Sequence, residues 1–192
     1  MRMLYKGYVY ESTLLEMPEM ISVGDDDGYY DRKHNEYLSR TEEVDSIYSS
    51  GVDFSIRTGT KGYIGYDVLS ITEGDELLGY SKFKKFPAEG LPSGSIQIEM
   101  TYMREGSRGM GYMSMGYEYL IGYFGCIVSD FQLTDESFGL YVKLSKKYRS
   151  GVYDRKSRSF TEMKFDGPEY TALDSAAYSA GTSDQYLLVL MK

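Results

Sequence analysis

The residues best placed to do chemistry in this chain are the glycines of Gly106-Ser107-Arg108-Gly109-Met110-Gly111. They lie between the alternating run Ile98-Glu99-Met100-Thr101-Tyr102-Met103 and a stretch from Met113 whose apolar residues recur at helical spacing. Glycine lets the main chain approach a ligand closely, and the unsatisfied amides that open a helix meet a phosphate or pyrophosphate. Arg108 adds a charge-assisted donor to the same turn. The sequence itself rules out two phosphate-binding signatures. A P-loop ends in Gly-Lys-Ser/Thr, whereas Gly111 is followed by Tyr112 and Met113. A dinucleotide fingerprint read from Gly109 lacks its third glycine, since Ser114 stands there. Asp130 would supply the acid such a site needs, but the hairpins ahead of the glycines do not suit a parallel dinucleotide sheet.

Other reactive residues are scarce. His34 is the only histidine and Cys126 the only cysteine, so a two-histidine metal site, an intramolecular disulfide and a cysteine-built zinc or iron–sulfur site are excluded within one chain. His34 lies in a polar segment and reads as a surface residue; Cys126 lies in an apolar run and reads as packing. The acidic run Gly24-Asp25-Asp26-Asp27-Gly28 invites a calcium loop, but the glycine at the sixth position is missing and Tyr29, Tyr30 and Arg32 spoil the ligand positions. A solvated loop is expected instead, and no metal.

These groups need elements to position them. Leu4–Glu11 reads as a strand, and Ser39-Arg40-Thr41-Glu42 as a capping box opening a helix that carries Val44, Ile47 and Tyr48 and stops at Gly51. From Val52 the period becomes two. Strands are expected at Val52–Arg57, Tyr63–Ile71 and Leu77–Phe83, the last two joined by a turn at Glu73-Gly74-Asp75-Glu76. Lys85–Gly94 is a loop and Ser95–Met103 a strand. Met113, Tyr117, Leu120, Ile121 and Phe124 form one helical stripe ending at Gly125, and Cys126–Ser129 is a short strand. Thr134 caps a second helix with Asp135 and Glu136 in its first turn and lysines Lys143, Lys146 and Lys147 at its end. Val152–Phe160 turns back at Arg155-Lys156-Ser157, Asp166–Gln185 is irregular, and Tyr186–Leu190 is a buried strand pairing within the chain or across a homodimer. The expected class is α+β (mixed α/β), a mostly antiparallel twisted sheet flanked by helices.

At 192 residues, one domain is expected: an amino-terminal segment of residues 1–51, a core of residues 52–154 and a carboxy-terminal segment of residues 155–192. With 21 basic against 29 acidic residues the net charge is −8, which repels phosphate backbones and argues against nucleic acid despite the cluster from Lys143 to Arg158. It suits an amine-bearing partner. No stretch is long and apolar enough to cross a bilayer and no signal core opens the sequence, so a cytoplasmic protein without a membrane partner is expected.

In order and spacing, residues 63–154 resemble the GNAT superfamily of N-acetyltransferases. The likeness rests on Ile98–Met103, then Arg108-Gly109-Met110-Gly111, the helix through Leu120, the strand Gly125–Asp130, and Leu140-Tyr141-Val142-Lys143-Leu144. Ser129-Asp130 with Leu133-Thr134 looks most like acetyltransferase-like proteins encoded by bacteriophages. The resemblance implies acetyl coenzyme A as cofactor, its pyrophosphate on Arg108, Gly109, Met110, Gly111 and Tyr112, and its pantetheine arm along Thr101, Tyr102 and Met103. Ser129 and Thr134 would complete the cofactor site. Tyr141 would protonate the leaving thiolate, a role that suits a phenol with an ordinary pKa of ~10, and Glu99 would take a proton from the amine. The acceptor would be a protein lysine, an amino terminus or a small amine. One departure counts against catalysis: Gly106 stands where the family has Gln or Arg. That change leaves a second reading, a degenerate acetyltransferase-like protein that binds a host or virion partner through its many tyrosines.

Overall fold

The computed structural model describes residues 27–60, 65–131, 133–179, 181 and 185–192. Its elements in chain order are α1 (Asp27–Leu38), β1 (Thr41–Ser49), β2 (Val52–Gly59), β3 (Asp67–Glu73), β4 (Glu76–Lys85), β5 (Ile96–Met103), α2 (Tyr112–Phe124), β6 (Cys126–Val128), α3 (Asp135–Leu144), β7 (Arg149–Asp154), β8 (Ser159–Glu162), α4 (Pro168–Ser179) and β9 (Tyr186–Met191). The strands form one sheet in the order β1-β2-β3-β4-β5-β6-β9-β7-β8. Every pairing is antiparallel except β5 with β6, whose crossover is helix α2. The expected α+β class, a mostly antiparallel sheet with helices, is what the chain adopts.

From β2 to β6 the sequence pattern and the structure agree. Alternation buries Val52, Phe54 and Ile56 on the α2 face of the sheet, and the Glu73–Glu76 pair closes a two-residue turn in which Gly74 is left-handed (φ 57°). The stripe on α2 buries Met113, Tyr117, Leu120 and Ile121, and Gly125 ends the helix at φ 84° with its N–H on Ile121 O (2.9 Å). Thr134 caps α3 by accepting from the Ser137 N–H (3.2 Å). The final strand pairs within the chain: β9 lies between β6 and β7, in register Cys126↔Met191 and Arg149↔Met191.

Three expectations fail. The helix expected from Ser39 to Gly51 is strand β1. Its turn, Ser50 (φ 54°) and Gly51 (φ 86°), is the left-handed pair that two-residue hairpins require, so the glycine closes a hairpin rather than a helix. Val44 and Ile47 remain exposed at 46% and 41% and Tyr48 at 71%, because β1 is an edge strand and buries little of either face. The acidic, tyrosine-rich segment expected to be a loop is, from Asp27 on, helix α1. Its Tyr30 and Tyr37 pack on Tyr80 and Tyr102, so tertiary contact outweighs weak local propensity. Asp166–Gln185, expected to be irregular, contains α4, which begins with Pro168 in the position where a missing N–H costs nothing. The strand expected at Leu4–Glu11 lies outside the described residues.

Candidate active site

The site begins where β5 and β6 part. The two strands are in register only at Ile96↔Ile127 and Gln97↔Val128. After Val128 the chain is drawn towards β9: the Ser129 N–H bonds to Leu188 O (2.8 Å) and the Leu188 N–H to Ser129 Oγ (2.9 Å). From Ile98 to Met103, β5 therefore keeps its ladder to β4 alone. That ladder has a bulge, with Lys82 opposite Met100 and Phe83 opposite Ile98, which leaves Glu99 as the extra residue. The outcome is a wedge open at the carboxyl ends of two parallel strands, a recurrent place for ligands in sheets with such a crossover.

The glycine turn stands at the mouth of this wedge. One turn of tight helix, Glu105–Ser107, leads into Arg108, whose Nε donates to Met103 O (3.1 Å) and braces the turn on the end of β5. Gly109 (φ 78°) and Gly111 (φ 86°) are left-handed, and Gly111 occupies the N-cap of α2 with no side-chain cap. The first bond of α2 to Gly111 O comes from the Met115 N–H (3.1 Å), so the amides of Tyr112, Met113 and Ser114 precede the helical ladder. A Cβ placed on Gly106, Gly109 or Gly111 would meet no heavy atom within 4 Å. Conformation, not crowding, demands glycine at 109 and 111, and the space over the turn is open.

On the α2 face, three hydroxyls run in line beneath β4 and β5. Tyr117 Oη shares a hydrogen bond with Thr101 Oγ1 (2.7 Å), Thr101 Oγ1 shares one with Ser81 Oγ (3.0 Å), and Ser81 donates to Met100 O (3.1 Å). Burial pushes the Tyr117 phenol up to about 12, against the pull of its hydroxyl partners. Tyr117 meets Tyr141 edge to face with ring centres 5.9 Å apart. Tyr141 is 1% exposed, and its hydroxyl has no hydrogen-bond partner among the described residues. Burial first, then the neighbouring phenol and Asp130, holds its pKa well above 10, so it keeps its proton. Tyr102 points to the opposite face and stacks on Tyr30 at 4.0 Å, which leaves only its main chain towards the wedge side of β5.

The expected site residues divide accordingly. Thr101, Met103, Arg108, Gly109, Met110, Gly111 and Tyr112 gather at the end of β5 and the start of α2. Ser129 and Thr134 are committed elsewhere, the first to joining β6 to β9 and the second to capping α3. Glu99 is 17% exposed and paired with Lys84 (2.5 Å), not the free strand carboxylate a surface position would give. His34 is not on the surface: it is 4% exposed, its Nε2 shares a hydrogen bond with Ser70 Oγ (2.7 Å), and burial lowers its pKa to about 4. Cys126 is fully buried as expected, and burial pushes its thiol up, away from thiolate chemistry. Tyr117 and Asp130 are the residues that sequence reasoning misses. Tyr117 is indistinguishable from any core member of the α2 stripe, and Asp130 stands out only as a misplaced dinucleotide acid.

No protein-family model matches the sequence, and no curated protein matches it. Among solved structures the chain is similar to the diaminobutyrate acetyltransferase EctA from Paenibacillus lautus, solved with L-2,4-diaminobutyric acid and coenzyme A. The match has 11% identity over 65% of this chain and 69% of that one, with a TM-score of 0.38. An N-acetyltransferase from Staphylococcus aureus Mu50 matches with 18% identity over 66% of each chain and a TM-score of 0.34. A Bacillus anthracis str. Ames protein described as a streptothricin acetyltransferase, in complex with acetyl coenzyme A, matches with 11% identity over 80% of this chain and 82% of that one, with a TM-score of 0.37.

Proposed function

We propose that the chain is an acetyl coenzyme A-dependent N-acyltransferase acting on an amine of a protein or a small molecule. The observation that carries this reading is the strand split of β5 and β6, closed at its mouth by an uncapped helix start framed by left-handed glycines. The residues present fit the cofactor. The open space over Gly109 and Gly111 admits a pyrophosphate to the first amides of α2, and the unladdered side of β5 at Thr101–Met103 offers main-chain groups to an amide-bearing arm. Bound there, acetyl coenzyme A supplies an acetyl group activated as a thioester.

The chain's own residues do the rest. Amides from Arg108 to Tyr112 bind phosphate oxygens, and the Arg108 brace on Met103 O ties that turn to the strand holding the arm. Tyr141 carries a proton at its hydroxyl across the working pH range, ready for a departing sulfur. The Tyr117–Thr101–Ser81 row fixes the floor beside it. The chain's net charge of −8 favours the approach of a cationic amine.

The test is thermal unfolding with acetyl coenzyme A, with adenosine monophosphate as control. At a hundredfold excess over Kd a ligand that binds only the folded chain adds ~2.7 kcal/mol. That corresponds to a shift of roughly 5–11 °C for a domain this size. A shift with both compounds alike, or with neither, would overturn the cofactor assignment. One observation supports a second reading, an acetyltransferase-like binding protein: Gly106 brings no side chain to the turn, although the space above it is empty. Stable acetyl coenzyme A binding with no transfer to any amine would favour that reading.

A further inference from the structure

The two faces of the sheet are built differently. The α2 and α3 face carries one continuous core, which includes Phe54, Leu69, Phe83, Ile98 and Leu120. The α1 face carries two separate apolar clusters, one around Val68, Tyr80 and Tyr102, the other around Cys126, Val128 and Leu187. Between them, where β5 and β6 part, four charged side chains take the place of apolar ones: Lys82 and Lys84 from β4, Glu99 at the bulge of β5 and Asp130 just past β6.

Their states differ. Lys84 neutralises Glu99 at 2.5 Å. The Lys82 ammonium lies over the ring of Tyr66 at 3.9 Å, and burial lowers its pKa. Asp130 accepts one hydrogen bond, from the Phe131 N–H to Oδ1 (2.7 Å), and has no ion-pair partner among the described residues. Burial pushes its carboxyl up to about 6; the Phe131 N–H pulls it down, the Glu99 charge pushes it up, and Lys84 and Lys82 pull it down. Across the split, the charge of Asp130 also helps to raise the phenols of Tyr117 on α2 and Tyr141 on α3.

We infer that Asp130, not Glu99, is the residue that receives the proton of the acceptor's ammonium group, and that Glu99, held by Lys84, is a positioning residue. This rests on the transferase reading above and deepens it. Protonating Glu99 would break an existing ion pair, whereas Asp130 has none to lose. In the step, one N–H bond of the ammonium breaks, its electron pair stays on nitrogen, and an O–H bond forms on Asp130, which later yields the proton to water. The acid at Tyr141 and the base at Asp130 then stand on opposite sides of the split, and the amine enters from the α1 face. A carboxylate in this position selects an aliphatic amine, which is cationic at neutral pH, over an arylamine, which is not.

The experiment uses the full chain labelled with 13C at aspartate and glutamate carboxyls. Both resonances are followed by NMR through the titration, with and without ethane-1,2-diamine as probe. Asp130 should titrate near 6 alone, and the diamine should lower its midpoint by about one unit, a tenfold change in acid dissociation. Asp130→Asn should abolish the diamine response, with Asp130→Ser as a second variant, while Glu99→Gln should keep it. An Asp130 resonance indifferent to the diamine, or a response lost in Glu99→Gln and kept in Asp130→Asn, overturns the assignment. Acetyl coenzyme A binding is read separately by thermal shift. A chain that binds acetyl coenzyme A but shows no diamine response at Asp130 loses this inference alone. A chain that shows the response but ignores acetyl coenzyme A loses the transferase reading, and Asp130 is then an amine-binding residue only.

Discussion

If Tyr141 is the acid of the proposed transfer, it sets stability against activity in a single atom. Its buried hydroxyl has no partner among the described residues, and a buried polar group left unsatisfied costs the fold about 1–3 kcal/mol. Tyr141→Phe should therefore raise the unfolding free energy by about 1 kcal/mol in denaturant melts, while acetyl transfer falls by roughly 10²-fold or more. An unchanged rate would remove Tyr141 from the acid's role. His34 and Asp130 oppose one another in pH dependence. With its folded pKa lowered to about 4, His34 makes the fold lose stability as pH falls from ~6.5 towards 4, by about 3 kcal/mol. Asp130, raised to about 6, makes the fold lose a similar amount as pH rises from ~3.9 to 6. Denaturant melts across that window should show His34→Gln gaining stability relative to the wild type on acidification and Asp130→Asn losing it. Parallel curves would mean neither group is buried in the folded state. Of the site, the glycine turn is legible in the sequence because its local spacing marks it, whereas Tyr141 is picked out only by the resemblance of Leu140–Leu144 to the acetyltransferase pattern. Tyr117, Asp130 and the Lys84–Glu99 pair are marked by neither, because strand pairing and a bulge bring them together.

At the scale of elements, the turn ahead of α2 separates shape from contact. Gly111→Ala should cost about 1–2 kcal/mol, because a side chain is strained at φ 86°, and should weaken the thermal shift given by acetyl coenzyme A. Gly106→Gln is predicted to leave stability within about 0.5 kcal/mol, since its Cβ meets nothing, and to enlarge that shift if the missing side-chain contact is what the turn lacks. A loss of folding in Gly106→Gln would show that the turn is crowded rather than open. The elements themselves are legible where one period holds for a whole segment, as in β2, β4, β5 and α2. They are not where two periods fit equally well. In Val44, Ile47 and Tyr48 the spacing of three and one suits a helix face, and an edge strand that buries little does not enforce alternation. Helices α1 and α4 give no clear signal because neither has a strong apolar stripe; α1 is held by tyrosine packing on β4 and β5, and α4 by the contact of Tyr170 with Phe138 and Phe165.

At the scale of the molecule, the sheet depends on an interior strand that comes last in sequence among the described strands. Leu187, Leu188, Val189 and Leu190 are all buried, and among the described residues β9 supplies the only ladder between β6 and the β7–β8 hairpin. A chain stopped at Gln185 should not give a cooperative unfolding transition, which circular dichroism during heating would show; a sharp melt would mean that β1–β6 stand as a unit. The insertion of β9 also bears on how the protein is made. On the ribosome, β6 and β7 are both complete before β9 emerges, and each then presents an open edge that any extended chain can pair with. The nascent chain must keep the wedge side of its sheet apart from the hairpin until β9 arrives. Its most exposed moment to aggregation and chaperone capture is therefore the interval after Glu162 and before Tyr186.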